Sequence, residues 1–332
     1  MIGVGTRGPG GPEMLTLAEY PDPVPGPGEI LIRVSATAVN RADVLQRQGR
    51  YPPPPGTTDI LGLEAAGTVE QLGSGVTGFA PGDRVMALLA GGGYAELVAT
   101  PAGQVMHVPD ALDDILAAAV PEAYLTAWQA LGRTAPPQPG DRVLVHAAAS
   151  GVGTAALQIA RELGARCIAT TRSTEKAWML EDRAEHVVVP INGEFAEQVT
   201  ALTDGRGVDR VVDLVGAAYL RESLRCLATG GHILLIGMVG GRRVDLDLGE
   251  LFAKRATLTA STLRARPLEE KAALVADFAE WGLPRLADGR LRPTVHDMLP
   301  VSRVQDAHRM VEANEPLGKV VLSLTADAIQ ER

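Results

Sequence analysis

The chain has 332 residues, more than one hydrophobic core usually serves, so two domains are the starting expectation. Its 46% hydrophobic and 21% charged content is that of an ordinary globular protein. A formal net charge of -9 argues against a nucleic-acid-binding or anionic-membrane surface. No basic start leads into an apolar core and cleavage site, and no long apolar run could span a bilayer, so a cytoplasmic location is expected. Two cysteines, Cys167 and Cys226, are too few for a disulfide framework and read as small buried hydrophobes.

From the start to about residue 120 the chain reads as short strands punctuated by Gly and Pro, at 28–34, 65–72, 83–89, 94–98 and 105–108. Several short strands with turn signals predict a compact barrel. The run Tyr51-Pro-Pro-Pro-Pro-Gly56 is too short for a linker and reads as a stiff loop. Strands at 143–147, 166–171, 186–189, 209–214, 231–237 and near 256–261 then alternate with helices such as 153–163 and 219–227. That alternation predicts a parallel, doubly wound sheet. The tail returns to the first style, with a helix at 267–281, a strand at 292–299, a helix at 302–312 and a strand at 319–324. The expected division is 1–120, 121–262 and a segment, 263–332, that completes the first domain.

The turn after strand 143–147 carries the chemistry. It reads Ala148-x-x-Gly151-x-Gly153, followed by Ala156. Small residues let backbone approach a pyrophosphate, which free N–H groups and the helix dipole then hold. A tight turn needed only for packing would look similar. The preceding strand, the following helix and the second strand on schedule favour a dinucleotide site of Rossmann type. Strand 166–171 runs into Thr170-Thr171-Arg172-Ser173-Thr174-Glu175-Lys176, with no acid at its tip to accept from a ribose hydroxyl. Arg172 can fork onto a 2′-phosphate, Ser173 can donate and Lys176 adds charge, which favours NADPH despite Glu175 in the same turn.

Longer motifs carry a resemblance. They include 40–49 with Tyr51, 60–67, Pro121-Glu-Ala-Tyr-Leu-Thr126, 146–153, Gly237-Met-Val-Gly-Gly241, Ser261-Thr-Leu-Arg264 and Gly318-Lys319. Collinear over nearly the whole chain, they resemble the zinc-free quinone oxidoreductase branch of the medium-chain dehydrogenase/reductase superfamily, most of all the p53-inducible quinone oxidoreductase group. The resemblance implies a GroES-like barrel domain joined to a Rossmann doubly wound parallel sheet. Zinc-dependent members carry a cysteine where this chain has Asn40 and Gly-His-Glu where it has Gly62-Leu63-Glu64. Asn40 and Leu63 cannot supply those ligands, and residues 85–120 contain no cysteine for a structural zinc lobe, so no metal is expected.

Without a Lewis acid the substrate must be an easy hydride acceptor, a quinone or an activated alkene. Donors placed where negative charge appears would assist. Tyr51, Asn40 and then Thr126 are the candidate catalytic residues. Tyr51 reads equally as a packing aromatic, and Asn40 as a residue that holds its loop. Asp43 and Arg41 read as structural. The resemblance assigns Ala148, Gly151, Val152 and Gly153 to the pyrophosphate, and Arg172, Ser173 and Lys176 to the adenosine phosphate. Val215 and Gly216 would border the ribose side. Gly237, Met238, Val239 and Gly240, with Thr262 and Leu263 nearby, would flank the nicotinamide, and Lys319 would reach the cleft from the tail. The activity implied is NADPH-dependent quinone reduction in an interdomain cleft, by a homodimer paired through the Rossmann sheet edge. An enone or enoyl-thioester reductase and a non-catalytic NADPH-binding redox sensor are the alternatives. Two departures stand out: Asp182-Arg183-Ala184-Glu185 replaces a glycine helix cap, and Pro190 stands where relatives carry tyrosine.

Overall fold

A computed structural model describes residues 1–325. Contacts divide the chain into two units, one of Met1–Leu125 with the chain from Leu263 on, the other of Thr126–Thr262. The elements run β1 (Ile2–Thr6), β2 (Leu15–Glu19), β3 (Glu29–Val39), α1 (Arg41–Arg47), β4 (Glu64–Leu72), β5 (Arg84–Leu88), β6 (Leu97–Pro101), β7 (Val105–His107), α2 (Asp114–Ala117) and α3 (Pro121–Trp128). Next come β8 (Arg142–Val145), α4 (Gly151–Glu162), β9 (Arg166–Thr170), α5 (Thr174–Leu180), β10 (His186–Val188), α6 (Ala196–Leu202), β11 (Val208–Asp213), α7 (Ala217–Arg225), β12 (Leu227–Leu235), α8 (Leu248–Lys254) and β13 (Thr257–Ala260). The last four are α9 (Leu268–Ala287), β14 (Val295–Pro300), α10 (Val304–Glu312) and β15 (Lys319–Ser323).

In the first unit a sheet runs β14-β15-β3-β4-β5-β7, with β6 also on β3. All pairs are antiparallel except β14 with β15. The long β3 serves three partners, and two register shifts against β4 bend it so that it can. Ile30, Ile32, Val34, Val69, Val85, Val320 and Leu322 form one core cluster with Leu61 and Tyr94. The tail thus completes the first unit through β15. The hairpin β1–β2 has no counterpart in the expected pattern, because the glycines of Ile-Gly-Val-Gly-Thr hide its alternation. The strand expected at 94–98 starts only at Leu97, since Tyr94 follows the glycine turn and its N–H donates to Leu61 O.

The second unit is a six-stranded parallel sheet, β10-β9-β8-β11-β12-β13. Successive strands first step outward from β8 through β9 to β10, then resume on its other side with β11. The change of direction between β8 and β11 makes a switch-point crevice at their C-terminal ends. α4 buries Gly153 through Leu157, Ile159 and Ala160, and so lies apolar face down beside the sheet. Two expectations need correcting. β12 begins at Leu227, inside the expected helix 219–227, because Leu227 pairs with Val208 across a register shift. α9 continues past 281 to Ala287 and carries Pro284 in its last turn, where Asp288 N–H still reaches Pro284 O.

Candidate active site

The first unit holds a buried polar cluster. Asn40 caps α1 in a reciprocal capping box: its backbone N–H donates to Asp43 Oδ2 at 2.8 Å. Asp43 Oδ1 accepts from Gly62 N–H at 3.2 Å, tying α1 to the approach to β4. Gly62 has φ +105, and a Cβ there would meet the Gly93 and Tyr94 backbone at 2.6 Å, so only glycine fits. Glu64 follows, completely buried. Its Oε1 accepts from Asn40 Nδ2 at 2.8 Å and from the Lys319 ammonium at 2.6 Å, and its Oε2 from the Glu122 backbone N–H at 2.9 Å. Lys319, 5% exposed, also donates to Asn40 Oδ1 at 2.5 Å.

Asn40 is therefore spent. Its amide donates to Glu64 and to Ala38 O and accepts from Lys319, which leaves no N–H free as a substrate donor. Lys319 is likewise held inside the first unit as the counter-ion of Glu64. Tyr51 is half-buried, with the Arg264 guanidinium 5.5 Å from its ring centroid. Thr126 lies on α3, partly exposed, in the second unit. Burial, and then the nearby Glu64 carboxylate, push the Glu122 carboxyl up to about 8; burial pushes Asp43 up to about 6.

In the second unit β8 runs into Ala147, whose φ of 47 is left-handed, and then into α4. Ser150 caps α4 by accepting from Gly153 N–H at 3.1 Å. Ala148 N–H donates to Thr170 O at 3.0 Å, fixing the turn to β9. A Cβ on Gly153 would lie 2.5 Å from Ala147 O, so this glycine sets how tightly strand and helix join. The first-turn N–H groups of Gly151 and Val152 have no intrahelical acceptor and can serve an anion. Beneath the turn, buried His146 bonds to Thr170 Oγ1 at 2.9 Å and to Ser223 Oγ at 2.8 Å. Burial pushes its pKa down to about 3, so the ring is neutral.

Ser173 caps α5 by accepting from Lys176 N–H at 3.2 Å, which leaves its own O–H to donate. Arg172 is exposed. Asp213, fully buried at the end of β11, accepts from Val215 and Gly216 N–H at 2.7 and 2.8 Å. Gly216 has φ +80, and Gly240 N–H donates to Val215 O at 2.7 Å. Cβ atoms on Gly237 and Gly240 would clash with Leu214 O and with Val215, so these glycines let the loops after β11 and β12 touch. Met238 and Val239 are exposed between them. Thr262 and Leu263 end the second unit and begin the return segment, with Leu263 buried.

Glu64, Glu122 and Arg264 lie in motifs that carry the resemblance, but they, Asp213 and Ser150 are not among the residues expected to form the site. They come from separate elements, and no local spacing joins them. Ser150 alone has a local signal, a serine just before a helix. Among the described residues, no group of three or more His, Cys, Asp or Glu side chains is arranged to hold a metal ion. No helix among them is long and apolar enough to cross a membrane.

The curled sheet and the parallel switch-point sheet together define the alcohol-dehydrogenase class of folds. Residues 26–110 match the alcohol dehydrogenase GroES-like domain, and 151–280 match the zinc-binding dehydrogenase family model. A quinone oxidoreductase of Pseudomonas aeruginosa is 36% identical over 318 residues, covering 94% of this chain and 96% of that protein. Among solved structures, Escherichia coli quinone oxidoreductase complexed with NADPH aligns at TM-score 0.88 and 30% identity, over 97% of this chain and all of that one. A mycocerosic acid synthase-like polyketide synthase of Mycobacterium tuberculosis is 40% identical over 232 residues, 70% of this chain. The chain spans only 11% of that much longer protein. The chain belongs to the medium-chain dehydrogenase/reductase superfamily, with quinone oxidoreductases as full-length relatives.

Proposed function

We propose that the protein is an NADPH-dependent, zinc-independent quinone reductase. The observation that carries this reading is the similarity to a quinone oxidoreductase over 94% of the chain. NADPH, when bound, supplies the hydride. The residues present fit it: the turn Ala148 to Gly153 has the small side chains and free N–H groups for a pyrophosphate. Arg172, Ser173 and Lys176 would take the 2′-phosphate, Val215 and Gly216 the ribose side, and Gly237 to Gly240 with Thr262 and Leu263 the nicotinamide.

Zinc independence is supported by the donor set. Asn40 and Leu63 offer neither thiolate nor imidazole, and the carboxylates beside them are occupied, Glu64 by the Lys319 ammonium and Asp43 by the Asn40 and Gly62 backbone N–H groups. Tyr51, with Thr126 after it, remains a candidate donor from the original three, and Lys319 becomes a positioning residue. A cytoplasmic location and a homodimer belong to the same reading. The dimer is supported by β13, the last strand of the parallel sheet, with Leu258 on it and Phe252 and Leu248 on α8 exposed.

The second reading, an enone or enoyl-thioester reductase, is favoured by the 40% identity to a segment of a polyketide synthase. NADPH oxidation against quinones and simple enones in parallel separates the two. Quinone turnover is the expected result. Enone turnover with inert quinones would establish the second reading, and NADPH binding without turnover would leave a binding protein.

A further inference from the structure

Around Tyr51 the first unit keeps charged groups of opposite sign that do not join. Arg264 is 4% exposed, yet only its Nε has a partner, donating to Ala90 O at 2.7 Å. Both terminal nitrogens are buried without a hydrogen-bond partner. Nearby Lys271, equally buried, reaches only Arg264 O, at 3.5 Å. Leaving a buried guanidinium fork unpaired is costly, and native structures seldom do it without a ligand to complete it. An acid lies within electrostatic reach. The Glu122 charge acts on Arg264, Lys271 and Tyr51, but the Glu122 carboxyl forms no ion pair or hydrogen bond with any of them. The other acids here are occupied: Glu64 by Lys319, Asn40 and a backbone N–H, Asp43 by two backbone N–H groups. An oxygen-bearing group at the Arg264 fork would supply the acceptor it lacks, with the Glu122 carboxyl close enough to act electrostatically on the same guanidinium.

We propose that Arg264 and Glu122 together hold the reducible carbonyl oxygen of the substrate, Arg264 as the donor to the developing oxyanion and Glu122 as the proton source. This rests on the reductase reading above and narrows its substrates to conjugated carbonyl compounds. Hydride addition brings two electrons and one hydrogen to the conjugated system, and the carbonyl oxygen becomes a phenolate or enolate. Arg264 N–H groups stabilise that charge. The Glu122 O–H bond breaks, its proton goes to the oxyanion, and the carboxylate keeps the electron pair until solvent reprotonates it. A quinone leaves as hydroquinone, and the oxidised nicotinamide leaves with it. Tyr51 lies beside this site, its ring centroid 5.5 Å from the Arg264 guanidinium carbon.

Glu122 suits the role because it holds its proton near neutrality. Burial does most to raise its affinity for the proton, and Glu64 on β4 and Asp43 on α1 add to it, while Lys319 on β15 and Arg264 lower it; Lys271 on α9 and Tyr51 also lie within its electrostatic reach.

The test uses full-length Glu122→Gln, Arg264→Met and Arg264→Lys, each checked for an unchanged melting temperature. The first readout needs no turnover: binding of 4-nitrophenolate to the protein saturated with NADP⁺, followed by the phenolate absorbance. Arg264→Met should weaken binding at least about 10-fold, the loss of one charge-assisted contact, and Glu122→Gln by less than about twofold. If Arg264→Met fails to fold, Arg264→Lys, which loses the fork but keeps the charge, should show a smaller loss in the same direction. The second readout is kcat against pH. The parent should fall as pH rises through about 8, the Glu122 value, whereas Glu122→Gln should be about 100-fold slower and flat there. Phenolate binding indifferent to Arg264, or a Glu122→Gln enzyme with the parent rate and profile, would overturn the proposal. A parent that binds phenolate through Arg264 but reduces no quinone would refute the quinone reading and leave the oxygen site standing.

Discussion

Lys319 sits 2.6 Å from Glu64, and both are buried, so the two form a direct buried ion pair. Lys319→Ala should cost about 3–5 kcal/mol of stability, because it strands a buried carboxylate. Lys319→Met combined with Glu64→Leu should recover much of that loss. Urea unfolding of the three proteins measures it, and a Lys319→Ala cost below about 1 kcal/mol would mean that water or another group reaches Glu64. Tyr51→Phe keeps the ring near Arg264 and removes only the hydroxyl, so kcat should fall about 10-fold with NADPH affinity unchanged. An unchanged kcat would reduce Tyr51 to a packing aromatic. Arg172→Glu should weaken NADPH by about 10- to 100-fold and NADH far less. Equal losses would show that the 2′-phosphate is read elsewhere. Arg172 and Tyr51 can be picked out from residue type and neighbours alone. Asn40 cannot be assigned that way. Whether its amide faces a substrate or Glu64 and Lys319 depends on β4 and β15, which lie 24 and 279 residues away in sequence.

At the scale of elements, the turn from β8 to α4 is the most constrained piece. A methyl group on Gly153 would meet backbone at 2.5 and 2.7 Å, which cannot yield as a flexible side chain would. Gly153→Ala should therefore cost about 1–3 kcal/mol and most of the NADPH affinity, measured by thermal unfolding with and without cofactor. A stable variant with parent affinity would show that the turn has room to spread. The parallel strands and α4 are legible in the sequence, since buried strands are continuous apolar runs and α4 keeps a helical stripe. β1 and β2 are not, because glycine breaks the alternation. The start of β12 is masked because Leu227 follows a helical stripe directly, and only pairing with Val208 makes it a strand.

At the scale of the whole molecule, acid sensitivity follows from two buried histidines. Burial pushes His146 and His308 down to about 3 from an ordinary 6.5. The unfolded chain binds their protons below about 6.5 and the fold refuses them. Their stabilising contribution is therefore complete above that pH and is lost as pH falls toward 3, on the order of a few kcal/mol. Asp43, Asp213 and Glu122, with raised values, act in the opposite sense. The difference between variant and parent isolates the histidines. His308→Phe should lower stability near pH 7 yet shrink its loss between about pH 7 and pH 5, as read from urea midpoints. An unchanged loss would mean that His308 titrates normally in the fold. Gel filtration with light scattering should give twice the chain mass, and Phe252→Asp with Leu258→Asp should give the single-chain mass; a parent already at single-chain mass would contradict the dimer. The most direct measurement is NADPH oxidation against a panel of ortho- and para-quinones, with and without a metal chelator. Chelator-insensitive quinone turnover, with NADH much poorer, is the predicted result. Turnover that vanishes with the chelator, or inert quinones beside reduced enones, would contradict it.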